Sequence, residues 1–205
     1  MEIVDALEKD RSWISVTFRS GSKYWLLSKE LISFPLQEGM EVDEKEFRRF
    51  LILSQYPRAL DRAVAMLAGR PCSRAEIQRK LSSLHIDEEV VALVLAKLEK
   101  EKLLDDQEFS SLWVQSRARK YGISRLHREL RSKGVDEETV QSALSEISDE
   151  AQLADAVALA RKKLANAKPG EDPRKNAQRI LGFLIRRGYD WETARSALKA
   201  ASGND

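Results

Sequence analysis

Three stretches of this chain carry the same junction between helices: "RKLSSLHIDEEVVALVL" from Arg79, "RELRSKGVDEETVQSAL" from Arg128 and "FLIRRGYDWETARSAL" from Phe183. Each closes one helix, turns, and opens another on an aspartate. An offset of 49 residues pairs Ile77 with Leu126, Leu81 with Leu130, Ile86 with Val135, Asp87 with Asp136 and Leu95 with Leu144. A further 54 brings Ile180, Leu184, Tyr189, Asp190 and Leu198 into register. Caps, apolar pairs and turn residues recur together and in order, which chance similarity between amphipathic helices does not produce. Each repeat reads as three helices of about 10 to 18 residues, too short to bury their apolar faces separately. Stacking is the solution open to such a chain. The expected fold is mainly α, with tandem three-helix units forming an elongated helical body.

Local signals place the units. In the first, "RALDRAVAMLAG" puts Leu60, Ala63, Val64 and Leu67 on one face before Gly69, and Ser73 with Glu76 forms a capping box. Asp87 opens the third helix with acids in its first turn and lysines in its last, matching the helix dipole. "NAKPGEDP" lengthens the connection before the third unit, and Asp172–Pro173 makes an N-cap and first-turn pair. The start of the chain follows another period. "WISVTF", "RSGS" and "KYWLL" read as strand, turn and strand, and "LISFPLQEGM" as a third short strand restricted by Pro35. Asp43 and Glu46 then cap a helix with Phe47, Phe50 and Leu51 on one face, which Pro57 is expected to end or interrupt. The expected divisions are a small β-hairpin or three-stranded subdomain at 1–40, a connecting helix at 41–57, and three-helix units at 58–104, 105–148 and 149–205. The β region is expected to be partly independent of the helices.

Little in the chain suggests chemistry. A single cysteine, Cys72, excludes an intramolecular disulfide and the usual zinc clusters, and fits a reducing compartment, hence the cytoplasm. His85 and His127 stand at no metal-ligand spacing, and the glycines form no phosphate loop. The expectation is no catalytic residue, no metal and no cofactor. There is neither a membrane-length apolar run nor a signal peptide pattern. Trp113 and Trp191 read as core or inter-unit packing, Trp13 and Trp25 as part of the β region.

Charge is the remaining signal. The net charge is only +2, yet residues 110–134 hold seven basic residues and one acid, and 135–155 hold seven acids and no base. Residues 161–195 return to ten basic against four acidic. Such alternating fields steer a polyanion or an oppositely charged surface. The residues expected to face a partner or DNA are Arg117, Arg119, Lys120, Arg125, Arg128, Arg131 and Lys133, with a second patch at Arg179, Arg186 and Arg187.

The run "LLDDQEFSSLWVQSRARKYGISRLHRELRSKGVDEETV" resembles the RecX family, bacterial regulators of the RecA recombinase. The likeness rests on Leu104, Asp105, Asp106, Phe109, Trp113, Val114, Arg117, Gly122, Leu126, Leu130, Lys133, Gly134 and Val135, with a weaker echo in "CSRAEIQRKL". It spans roughly Arg58 to Lys199 and leaves the β region aside. The resemblance implies tandem three-helix units. It also implies a non-enzymatic protein that binds the RecA filament on single-stranded DNA, lying in its groove and limiting growth. Strand exchange, ATP hydrolysis and SOS repressor co-cleavage would fall, so the protein would act in DNA repair and recombination. Weak direct DNA binding occurs in such families, and a monomer is the expected state. The alternative is a stand-alone nucleic-acid-binding protein whose units act as helix–turn–helix modules.

Overall fold

A computed structural model describes residues 1–166 and 172–203 in two compact units, Met1–Leu104 and Asp105–Asp205. Most of the "NAKPGEDP" connection lies outside the described residues.

The first unit begins with four antiparallel strands, β1 (Glu2–Asp10), β2 (Trp13–Phe18), β3 (Lys23–Leu27) and β4 (Glu41–Val42), in the order β3-β2-β1-β4. The β2–β3 hairpin is the one the sequence predicts, its turn passing through Gly21 at φ 87°. Strand β1 is not, because its four acids hide the apolar signal of Ile3, Val4 and Leu7. The stretch read as a third strand instead holds a single helical turn, α1 (Glu30–Ser33), followed by irregular chain. The inner face of the sheet (Val4, Val16, Phe18 and Leu26) closes over Phe47 and Leu51 of α2 (Glu44–Gly69).

Helix α2 runs unbroken through Pro57, so the proline neither ends nor interrupts it. Proline removes one donor, and the carbonyl it would have served belongs to Leu53, whose side chain is 68% exposed, on a side where solvent can substitute. The later part of α2 forms the first three-helix domain with α3 (Arg74–Ser82) and α4 (Glu88–Lys100), around Ala59, Ala63, Ile77, Leu81, Val94 and Leu98. With Ala59 and Ala63 turned inward, Val64 is 43% exposed and not the core residue expected. The buried Gln55 joins sheet to helices: its Nε2 donates to Trp25 O at 3.1 Å, and its Oε1 accepts from Asp87 N at 2.7 Å.

The second unit contains α5 (Asp106–Arg117), a 3-10 turn (Ala118–Lys120), α6 (Ile123–Ser132) and α7 (Glu137–Leu144), then α8 (Asp149–Ala165), α9 (Pro173–Arg186) and α10 (Trp191–Ser202). The repeated junction has one backbone plan in all three domains. The amides of Ile86, Val135 and Tyr189 donate to the carbonyls of Leu81, Leu130 and Leu184 at 3.3, 3.3 and 3.2 Å. Each follows a residue in left-handed conformation: His85 at φ 56°, Gly134 at 83° and Gly188 at 92°. This is a Schellman closure with its apolar contact, followed at once by an aspartate N-cap. His85 tolerates the conformation because Trp25 stacks on its ring at 4.6 Å and Trp13 meets it edge-on at 5.4 Å.

Candidate interaction surface

Helix α6 begins at Gly122 with no side-chain cap of its own. Its orphan amides are served from the third domain. Gly122 N donates to Arg187 O at 3.0 Å, Ser124 N to Gly188 O at 3.2 Å, and Ile123 N to Gln152 Oε1 at 3.2 Å. A Cβ at Gly122 would overlap the Gly188 carbonyl, and one at Gly188 would lie 2.5 Å from Arg125 Cβ. The second and third domains are therefore keyed together through two glycines.

Across this joint runs a ladder of cations and half-buried rings. Lys133 Nζ stands 4.4 Å from the Trp113 ring, and the Arg117 guanidinium covers the same ring at 4.1 Å. Arg125 lies over Tyr121 at 3.9 Å, and Arg187 lies 5.0 Å from both Tyr121 and Phe183. Lys163 covers Phe183 at 4.7 Å. Glu129 ties the near end: it pairs with Arg117 at 3.3 Å and Arg125 at 3.0 Å and accepts from Trp113 Nε1 at 3.2 Å. Cations stacked on rings lose little further freedom on meeting an anion, while their outer edges can still donate.

The basic residues singled out in the sequence thus divide into two groups. Arg117, Arg125, Lys133 and Arg187 belong to the ladder, and Arg187 also donates to Lys120 O at 3.1 Å. Arg119, Lys120, Arg128, Arg131, Arg179 and Arg186 are exposed. Of these, Arg128 donates to Ser124 O on its own helix, Arg131 to Val135 O at 2.6 Å, and Arg179 to Asn176 Oδ1 at 2.9 Å. Arg131 also pairs with Glu137 at 3.4 Å. Arg125, Arg128 and Arg131 therefore do not form one uniform strip. Tyr121, Glu129, Lys163 and Phe183 were not singled out, although an aromatic residue with arginine four places on recurs at Trp113–Arg117, Tyr121–Arg125 and Phe183–Arg187.

Outside the ladder the motif residues are architectural. Asp105 caps α5, accepting from Gln107 N and Glu108 N at 2.8 and 3.1 Å, with Asp106 in the first turn. Phe109, Leu126 and Leu130 are buried in one core. Trp191 is not core or packing but 58% exposed. Much of the acidic stretch serves helix starts: Asp136 is a cap, and hydrogen bonds from Gln141 and then His127 hold the Glu137 carboxyl below its usual range.

Asp155 and Tyr189, both in the third domain, are perturbed. Burial raises the Asp155 carboxyl, opposed by Arg119. Burial and then Asp155 push the Tyr189 hydroxyl up to about 12, and among the described residues that hydroxyl has no hydrogen-bond partner. Among the described residues no cluster of His, Cys, Asp and Glu could hold a metal, and Cys72 is buried in the first helical core. Among them, too, no helix is long and apolar enough to cross a membrane.

The family models of the first, second and third three-helix domains of RecX match residues 59–98, 105–144 and 150–198. The regulatory protein RecX of Amycolatopsis mediterranei is 36% identical over 147 residues, covering 71% of this chain and 83% of its own. That of Chlorobaculum tepidum is 35% identical over 149 residues, covering 72% and 90%. That of Mycolicibacterium vanbaalenii is 35% identical over 182 residues, covering 84% and 95%. A crystal structure of regulatory protein RecX has a TM-score of 0.66 at 22% identity, covering 98% of this chain and 100% of its own. RecX from Lactobacillus salivarius gives 0.67 at 22% identity, covering 73% and 98%. At such identity these two likenesses concern the fold.

Proposed function

The chain belongs to the RecX family, and from that premise we propose that it is a non-enzymatic regulator of the RecA filament on single-stranded DNA. It binds the assembled filament and limits its growth and activity, which places its work in the cytoplasm. The observation that carries this reading is the ladder from Lys133 to Lys163, with exposed Arg119, Lys120 and Arg128 as further cations of the second domain. A polyanionic filament offers phosphates and carboxylates to such a surface, and stacked guanidiniums suit both.

Helix–turn–helix reading of naked DNA is less well supported. A recognition helix meets base edges with its N-terminal residues. Those of α6 are occupied by the Gly188 turn and Gln152. The test is co-sedimentation with RecA on single-stranded DNA beside DNA alone, together with RecA's DNA-dependent ATP hydrolysis. Substoichiometric protein should bind filaments and suppress hydrolysis. No binding and unchanged hydrolysis at equimolar protein would refute the reading, and tight sequence-specific binding to naked DNA would restore the alternative.

A further inference from the structure

Helix α9 has two faces. Asn176, Ile180 and Leu184 turn into the core of the third domain. The other face, Gln178, Leu181, Gly182, Ile185 and Arg186, follows the i, i+3, i+4, i+7, i+8 spacing of a helix contact surface. Together with Trp191 at the start of α10 it lines an open groove of about 590 Å³. Ile185 is 38% and Trp191 58% exposed, so two large apolar side chains flank the groove without cover.

Gly182 is the informative residue. Glycine inside a helix costs about 1 kcal/mol relative to alanine. Among the described residues a Cβ here would meet only the movable Arg186 guanidinium, at 3.2 Å, so their packing gives no reason for the glycine. It leaves a notch in the middle of an apolar face, where a second backbone could approach closely. Charge selects the visitor. Helix α9 carries Arg174, Lys175, Arg179 and Arg186 and no acid. The neighbouring Asp190 is engaged as the α10 cap, with Glu192 beside it.

We propose that the α9–Trp191 groove docks an acidic amphipathic helix of a partner protein. Its apolar residues seat against Leu181, Ile185 and Trp191, its backbone crosses at Gly182, and its carboxylates meet the flanking arginines. This site does not depend on the partner being the RecA filament.

The probes are a short peptide with leucines at i, i+3, i+4 and i+7 and glutamates elsewhere, the same peptide with lysines for glutamates, and oligothymidylate. Amide chemical shifts of the full-length, isotope-labelled protein locate binding, and analytical ultracentrifugation follows self-association. The acidic peptide should shift residues 178–191 and bind at least about tenfold more tightly than the basic one. Trp191→Ala should weaken it by at least about tenfold, as loss of an exposed aromatic anchor does. Gly182→Ala should raise Tm by about 2–4 °C and weaken the peptide at the same time. Unchanged or tighter binding with that variant would overturn the notch, and shifts elsewhere or no binding would overturn the site. Preferential oligothymidylate binding on this face, or self-association through it, would replace the proposed occupant.

Discussion

Glu129 and Tyr189 show how single side chains act on stability in opposite directions. Glu129 is mostly buried, two guanidiniums and an indole N–H converge on it, and no other carboxylate is seen pairing with Arg117 or Arg125 among the described residues. Glu129→Gln keeps the shape but removes the charge, so thermal unfolding should register a loss of about 1–2 kcal/mol. An unchanged Tm would mean the ladder holds without its anion. Tyr189 behaves oppositely, since its hydroxyl is buried without a partner among the described residues. Removing an unpaired buried hydroxyl is neutral or favourable, and Tyr189→Phe should match or exceed the parent by up to about 2 kcal/mol at neutral pH. The folded protein holds that proton up to about 12, against an ordinary value of 10.0. With respect to this group stability is therefore flat below about pH 10 and falls as pH rises toward 12, because the unfolded chain gives up the proton first. In Tyr189→Phe that part of the alkaline decline should vanish in pH-dependent denaturation. These roles were hard to read in sequence: Tyr189 was placed correctly as an apolar junction residue, but an orphan hydroxyl leaves no trace in spacing.

At the scale of elements, the junctions were readable because each is local. A leucine, a left-handed turn residue, an apolar residue and an aspartate lie within a few positions, and the backbone bonds they make follow from that order. What joins one domain to the next was not, because its partners lie far apart in sequence. Gly122 matched a family motif, yet its reason is the Gly188 carbonyl across the joint. The four strands tell the same story: β2 and β3 alternate visibly, whereas β1 is defined by pairing with both β2 and β4. The ladder was half readable, its arginines singled out but its rings passed over. Gly122→Ala should therefore cost about 2–3 kcal/mol and unfasten the start of α6. Hydrogen exchange should then speed up at Ile123–Arg125 before the α5 core. If protection there stays at the parent level, the keyed glycines are not what holds the joint.

For the whole molecule, the unit of folding is larger than one three-helix domain. Phe47 and Leu51 of α2 are covered by the sheet, the same helix continues into the first helical core, and Gln55 bonds to both. Removing residues 1–40 would uncover both side chains at about 1.5–3 kcal/mol each and leave the Gln55 amide without Trp25. The sheet therefore shares a core with α2, whatever its different periodicity suggests. In the second unit α6 takes its first-turn acceptors from Gln152, Arg187 and Gly188, so residues 105–148 lack the groups that finish their own middle helix. Three fragments separate these dependencies. Residues 1–104 and 105–205 should each unfold cooperatively by circular dichroism, because each closes its own cores. Residues 41–104 should lose the cooperative transition that 1–104 retains. Residues 105–148 should melt without a sharp transition and recover one when residues 149–205 are restored. A sharp, high-temperature transition in residues 105–148 alone would make each three-helix repeat self-sufficient, and the glycine-keyed joint would then be an addition to finished domains.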